Sequence, residues 1–367
     1  MIHVDIDYFD SATELQQSPE FYTHWSDLYL HTEASPFLHL NWIQNWLKQV
    51  SNPILLVTAI IKGETVGLGI LAQNTVKSLL GFKVEQWWLH RCGDTLLDQN
   101  WIEYNDFLVS KVDADSIRAA MFGAIMDWLP NTAELCVGVS DIEILEQLTH
   151  PQVNYRDTWK ASGYKLPISE IYHTQSNHLN EDLLLTFSTN TRRQIKRSFK
   201  LLSQYGELSL KPLAKDQQSI LFEDIFAANH KQKWGASSGF NNHDFVNFHR
   251  QLLLGGSTDI LQIMMGDKPV MYIYSLINDR GVFFYMASMN SFDDNKIKLG
   301  LVGHCLAISY YSILGFKQYD FLAGEARYKT SLSSEQYVMA IRHYYKSNWK
   351  AEFESVLRMI KSKYLSK

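Results

Sequence analysis

Residues 298–329 read KLGLVGHCLAISYYSILGFKQYDFLAGEARYK: an apolar helical run, a stop at Gly315, a short strand over Gln318–Leu322, and a loop crowded with charge. Strand alternation puts Tyr319 and Phe321 on one face and Asp320 and Leu322 on the other. Asp320 therefore falls in an otherwise apolar strand. A carboxylate there needs a partner or carries a raised pKa. It reads as a structural acid bonded to nearby backbone or to Lys329, which is the commoner case, or as a catalytic base. Glu325, in a glycine-flanked loop beyond the strand, is freer to meet a ligand. Tyr328 offers a general acid, and Lys329 a cation to orient an anionic group.

Working upstream, GVFFYMASMN at 281–290 is strand-like, and the loop NSFDDNKIK leads into a helix that begins near Leu299–Gly300. A helix start behind a strand presents free N–H groups and a positive dipole end, which suits a pyrophosphate. Gly300 allows close backbone approach, and Lys296 and Lys298 add positive charge. Lys298, Leu299, Gly300 and Leu301 are the candidate cofactor contacts, although any α/β crossover has this outline.

The same plan occurs twice. ILLVTAIIKGETVGLGILAQ at 54–73 is strand, glycine turn, strand; DILQIMMGDKPVMYIYSLIND at 259–279 repeats it. Each hairpin is followed by further strand material (VEQWWLHRC at 84–92, GVFFYMASMN), a helix (114–129, 298–314) and another short strand (ELCVGVS, KQYDFLA). The echo implies two similarly folded α/β halves, placed at 1–165 and 166–367. The first half has no GEARYK equivalent after ELCVGVS and reads as degenerate. YVMAIRHYYKSNW alternates like a strand, and KAEFESVLRMIKSKYLSK at 350–367 reads as a closing amphipathic helix.

Between the halves, TRRQIKRSFKLL forms a helix with N-cap candidates at Ser188–Thr191 and a stop at Gly206. At roughly 100° per residue, Arg192, Arg193, Lys196, Arg197 and Lys200 share one arc of about 140°. Ile195, Phe199, Leu202 and Tyr205 take the other side. A wholly basic face is either a solvated surface or a phosphate contact, and Arg192, Arg193 and Arg197 are the candidate contacts. HKQKWGASSGF at 230–240 places Trp234 before a glycine- and serine-rich stretch. It reads as a mobile aromatic loop over an acceptor or as a plain connection.

Composition bounds the rest. The 367 residues carry a net charge of −5, so any anion site is local rather than a property of the whole surface. DNA is not an expected partner. Three dispersed cysteines exclude a disulfide framework and offer no metal-type spacing, so no metal is expected. The N-terminus lacks a basic n-region and an apolar h-region, and no apolar run is long enough to span a bilayer; the sequence reads as cytoplasmic. There is no GxSxG elbow, P-loop, HExxH or kinase signature. His304, inside an apolar helix, reads as a packed residue.

PFLHLNWIQNWL, YKLPIS, TRRQIKRSFKLL and LGLVGHCLAISYYSILGFKQYDFLAGEARYKTSL, in that order, resemble the GNAT-type acyltransferase domain of CelD-like proteins, related to the FemAB group of peptidoglycan aminoacyltransferases. The resemblance spans roughly Pro36 to Ser334. It implies an α/β fold of two tandem GNAT-like domains, each a mixed, mainly antiparallel sheet flanked by helices. It also implies an N-acyltransferase that uses acetyl-CoA or another acyl-CoA, acting on a small-molecule, glycan or peptide amine, in polysaccharide or cell-envelope metabolism. Glu325 is then the first choice of base and Asp320 the second; backbone N–H groups at the end of strand 281–288 polarise the thioester. The family's proline before the phosphate-binding glycine is Leu299 here, and the glycine-paired six-residue loop of single-domain GNATs is absent. Both departures leave aminoacyl-tRNA open as donor, and a non-catalytic tandem-GNAT binding module open as a class.

Overall fold

The structure, a computed structural model, describes residues 1–78, 81–169, 171 and 179–347. The helix expected at 350–367 lies outside them. The chain divides into two compact units, one of Met1–Lys160 with the closing segment from Met339, the other of Ala161–Val338. The sequence reading had placed the whole of 166–367 in the second half.

The first unit contains β1 (His3–Phe9), α1 (Ala12–Gln16), α2 (Pro19–Leu30), α3 (Leu40–Leu47), β2 (Ile54–Ile61), β3 (Glu64–Lys77), β4 (Lys83–Leu89), β5 (Leu108–Val109), α4 (Ala114–Trp128), β6 (Ala133–Asp141), α5 (Ile142–Gln147) and the start of β7 (Val153–Pro167). The two-residue turn between β2 and β3 is Lys62–Gly63, both at positive φ, the geometry that matches strand twist in a tight hairpin. Strand order is β1-β2-β3-β4-β6-β13, with β5 beside β3. Here β13 (Glu335–Lys346) enters with its residues from Met339 on. Among the described residues β4 and β6 are the one parallel pair in that order, and the other neighbours are antiparallel. Ile117, Met121, Phe122 and Ile125 of α4 pack on Leu55, Val57, Leu135 and Val137 of the sheet.

The second unit contains α6 (Glu181–Thr186), α7 (Thr189–Leu202), β8 (Leu208–Pro212), α8 (Lys215–Trp234), α9 (His243–Leu254), β9 (Thr258–Met265), β10 (Lys268–Asn278), β11 (Gly281–Met289), α10 (Leu299–Ile313), β12 (Gln318–Ala323) and α11 (Arg327–Leu332). Its order is β7-β12-β11-β10-β9-β8. Gly266, at positive φ, opens the two-residue turn between β9 and β10. The echo in the sequence is thus real: β2-β3-β4-β6 and β9-β10-β11-β12 share order and direction, with one parallel pair at the end of each. In both, a helix carries the chain from the third strand to the fourth, as a parallel pair requires.

Ile195 and Leu202 of α7, Val302 and Leu306 of α10, and Met271, Ile273, Tyr319 and Phe321 of the sheet form the second core. Ser188 caps α7 by accepting from the Thr191 N–H. The helix ends at Leu202 rather than at Gly206, and Tyr205, assigned to its apolar side, is exposed. The residues Arg327–Lys329, read as loop, form the first turn of α11.

β11 and β12 touch most closely at Gly281, where a Cβ would stand 2.7 Å from the Gln318 carbonyl oxygen. Backbone cannot swing aside as a side chain can. Gly281→Ala is expected to cost about 1–3 kcal/mol of stability through overpacking, read from denaturant melts; an unchanged midpoint would show that the two strands are not held this tightly.

Candidate active site in the second unit

β11 and β12 run parallel but pair over two positions alone, Val282 with Tyr319 and Phe283 with Asp320. Beyond these they part. Each strand has an irregularity at that point. On β11, Tyr285 is an extra residue in the register with β10. On β12, the register with β7 shifts between Asp320 and Ala323, and Leu322 adopts a φ of 62°. A bulge bends a strand away from its neighbour. Residues 281–284 are buried, whereas Tyr285, Met286 and Ala287 are half-buried, as expected where β11 loses its neighbour. The result is a wedge, closed at Gly281 and open toward the end of β11.

α10 begins from that same end. Its N-cap, Lys298, has no side-chain cap. Ser198 of α7 holds the approach: its hydroxyl donates to the Lys296 carbonyl at 3.0 Å and accepts from the Lys298 N–H at 2.9 Å. The basic helix is thereby tied to the start of α10. Lys298 is exposed, Leu299 buried, and Gly300 and Leu301 half-buried. Arg193 and Arg197 are exposed; Arg192 donates to the Thr189 hydroxyl, and Lys196 pairs with Glu181. That exposed ion pair adds little stability.

The charges of the 320–329 segment separate into two kinds. Asp320 is fully buried, and its Oδ1 accepts from the Leu322 N–H at 2.7 Å and from the Tyr337 hydroxyl at 2.7 Å. Lys329 is buried too, and its ammonium donates to the Leu322 and Ala323 carbonyls at 3.1 and 2.7 Å. These two side chains satisfy backbone groups at the place where β12 leaves regular pairing. Glu325, by contrast, is exposed and has no partner among the described residues. The Tyr328 ring is stacked on His304, with centroids 5.3 Å apart and planes 6° apart, and burial pushes its phenol pKa up. His304 is a packed residue: burial holds it neutral, at about 3, and Nδ1 lies 3.0 Å from the Tyr319 hydroxyl.

Trp234 is the last residue of α8 rather than part of a loop, and the segment after it forms two short helical turns. The indole is half-exposed, with the Lys233 ammonium 5.0 Å from its ring centre and His230 beside it. α8 reaches the end of β11, where Asn229 donates to the Ser288 hydroxyl at 2.6 Å. Trp234 therefore stands five residues, about 1.4 helical turns, past a residue that touches β11. Tyr337, Ser198, Asn229 and Ser288 carried no signal in the sequence, because each matters through a partner distant along the chain.

The first unit has a matching fork, and it is filled. β4 and β6 pair from Glu85–Ala133 to Trp88–Cys136. Just past that point the fully buried Asn105 donates to the Leu89 carbonyl at 2.6 Å and to the Gly138 carbonyl at 3.0 Å, while its own N–H bonds Val139. His90, 3.0 Å from the Asn105 Oδ1, holds the amide in place. One amide side chain thus bridges the two strands where the second unit leaves a wedge.

This geometry fits what comparison shows. Residues 189–330 match the family model described as the acetyltransferase (GNAT) domain. Over most of its length the chain is similar in fold to a FemX crystal structure (TM-score 0.55, 9% identity, 90% of this chain and 97% of that one). It is also similar to the C-terminal domain of a putative lysylphosphatidylglycerol synthetase from Agrobacterium fabrum (0.52, 6%, 92% and 94%). L-PGS from Bacillus licheniformis is a third such structure (0.51, 6%, 93% and 96%). None of the curated proteins matches. Within the second unit, then, the segment from α7 to α11 is similar to the acetyltransferase (GNAT) domain, and the likeness to the FemX structure is one of fold.

Asp320→Asn and Tyr337→Phe each break the buried bond at the strand end and are expected to cost about 1–3 kcal/mol. Glu325→Gln, on an exposed side chain, should leave the melting temperature unchanged. Thermal melts of the three variants check this, and equal losses at Asp320 and Glu325 would sink the division into two kinds.

Proposed function

We propose that the second unit transfers an acyl group from an acyl-CoA to a primary amine. The observation that carries this reading is the wedge between β11 and β12, which opens toward the start of α10. An extended amide-bearing arm can lie along β11 as an added strand would. Its pyrophosphate then meets the first turn of α10, where Leu299, Gly300 and Leu301 supply backbone N–H groups and Lys298 supplies charge. Arg193 and Arg197, on the helix tied to that start, face solvent and are available to further phosphates; Arg192 is the less free of the three.

In the reaction the amine nitrogen attacks the thioester carbonyl carbon. The negative charge that grows on the carbonyl oxygen is met by backbone N–H groups of β11. Glu325 accepts the proton that the nitrogen gives up. The tetrahedral species collapses, the C–S bond breaks, and Tyr328 offers its hydroxyl to the departing thiolate as a hydrogen-bond donor; the thiolate takes its proton from Glu325, which returns to the carboxylate, while burial keeps the phenol protonated throughout. Asp320 and Lys329 hold the loop that presents Glu325 rather than move protons themselves. Trp234 forms a wall on the acceptor side.

A second reading, transfer from an aminoacyl-tRNA, is favoured by one feature. Arg193, Arg197 and Lys200 form an exposed basic row without acidic partners among the described residues, a track that suits successive phosphates of a nucleic-acid backbone. Calorimetry separates the two. Acetyl-CoA is expected to bind one per chain, because Asn105 fills the fork of the first unit. Glu325→Gln should lower turnover on an amine panel about 100-fold or more while donor affinity survives. Arg193→Gln with Arg197→Gln should weaken the donor, most at low salt. Salt-dependent tRNA binding with no response to CoA would transfer the assignment to the second reading, and silence toward both would leave a binding module.

A further inference from the structure

A second cluster of reactive side chains lies in the first unit, on the sheet face away from α4. Glu134 and Cys136 are two residues apart on β6, so they share a face, and His343 of β13 sits directly opposite Cys136 in the register. The neighbouring β4 sets Gln86 opposite Glu134 and Trp88 opposite Cys136. All three of Glu134, Cys136 and His343 are buried. His343 Nδ1 is 3.2 Å from Cys136 Sγ and 3.1 Å from Glu134 Oε2, and the three atoms lie within 4.8 Å of one another.

Glu134 is already hydrogen-bonded by Gln86 and Arg156, whose Nη2 also stands 3.5 Å from His343 Nδ1; what hydrogen bonding serves less well is the contact of Nδ1 with both the sulfur and the carboxylate. An imidazole nitrogen offers one in-plane site, either a proton or a lone pair. With the proton on Nδ1, it serves the carboxylate or the sulfur but not both well. With Nδ1 bare, the thiol donates to it, and its lone pair then faces the Glu134 oxygen. A dication satisfies all three donors at once. Ligand atoms held about 2.0–2.3 Å from zinc stand roughly 3.2–3.6 Å from each other, close to the separations found. Sulfur with nitrogen selects a borderline-soft metal over magnesium or calcium.

We propose that Glu134, Cys136 and His343 form a zinc site, with a fourth position left to water or to a small ligand. Binding displaces the thiol proton; the thiolate and carboxylate then carry two negative charges against the ion, with the partly exposed Arg156 guanidinium left as an outer cation facing solvent. Gln86 Nε2, 2.8 Å from Glu134 Oε2, and Arg156 Nη2, 2.6 and 2.7 Å from the two carboxylate oxygens, orient the acid ligand from outside. The Trp88 indole packs edge-on against His343 at 5.2 Å, donates to Gln86, and fixes the imidazole plane. Arg156 is partly exposed and covers Glu134 on its outer side. The site is independent of acyl transfer: it belongs to the unit whose fork is filled.

The full-length chain, purified without chelator from zinc-supplemented cells, should carry about one zinc by elemental analysis. After removal at mildly acidic pH with a chelator, cobalt(II) should rebind with a near-ultraviolet thiolate-to-cobalt charge-transfer band. Cys136→Ser should abolish that band and lower metal content at least tenfold, with the fold checked by circular dichroism. Folded wild-type protein that holds no zinc and gives no cobalt band overturns the site, whatever the variant does. Zinc retained in full by folded Cys136→Ser overturns it as well, since the metal then lies elsewhere.

Discussion

Two parallel strands that start paired and then separate leave backbone groups that must find other partners or stay open to a ligand. The rest of the second unit is arranged around that fact at β11 and β12. The strands meet at Gly281, where only hydrogen fits against the Gln318 carbonyl. They pair over two positions and diverge at facing irregularities. On the β12 side the released groups are met from within: Asp320 takes the Leu322 N–H, and Lys329 takes the Leu322 and Ala323 carbonyls. A buried charge on such duty gives a stronger bond than a neutral group would, and it offsets part of its own desolvation by doing so.

The same fork in the first unit shows the other solution. Asn105 carries both a donor and an acceptor on one short side chain. It bonds carbonyls of both strands while His90 stands at its oxygen. With the gap closed by a neutral amide, that unit has no use for the bracket of acid and lysine, and its sequence has none after β6. Two halves with one strand order thus differ at this fork: in one it is bridged by a side chain, in the other it is not. One cluster of charged and polar side chains in the first unit, Glu134, Cys136 and His343, lies on β6 and β13.

The fold was legible in the sequence where local rules decide it. Glycine at a two-residue turn marks a hairpin, and 3.6-residue spacing marks 114–129 and 298–314, so the doubled plan could be read off. Elements without such marks were missed: β1 is polar on alternate residues and half-exposed, and β8 is five residues long. The site was legible in part. The segment 320–329 was the right place to look, but the roles within it depend on partners that sequence does not display. Tyr337 reaches Asp320 across 17 residues. Cys136 and His343 are 207 apart, beyond any spacing rule for metal ligands. Trp234 was misplaced for a different reason: Gly235 ends α8 just after it, so the indole projects from a helix end, where glycine and serine nearby suggest a loop.

Why, then, do charges gather at the end of a buried strand? A loop that offers a side chain to solvent at a constant position is exposed at its tip and fixed at its base. At the tip, Glu325 lies in water with Gly324 behind it at a φ of 107°, a turn that a side chain would strain. At the base, Lys329 reaches back from α11 to the carbonyls that precede that turn, so the eight residues from Leu322 to Lys329 form a closed loop. Tyr328 is carried on the same short helix, one residue from the lysine, and its ring rests on His304. The imidazole supports it as a neutral ring, since burial lowers the His304 pKa to about 3. Exposed and buried charges therefore belong together here: the buried pair fixes the backbone from which the exposed carboxylate projects.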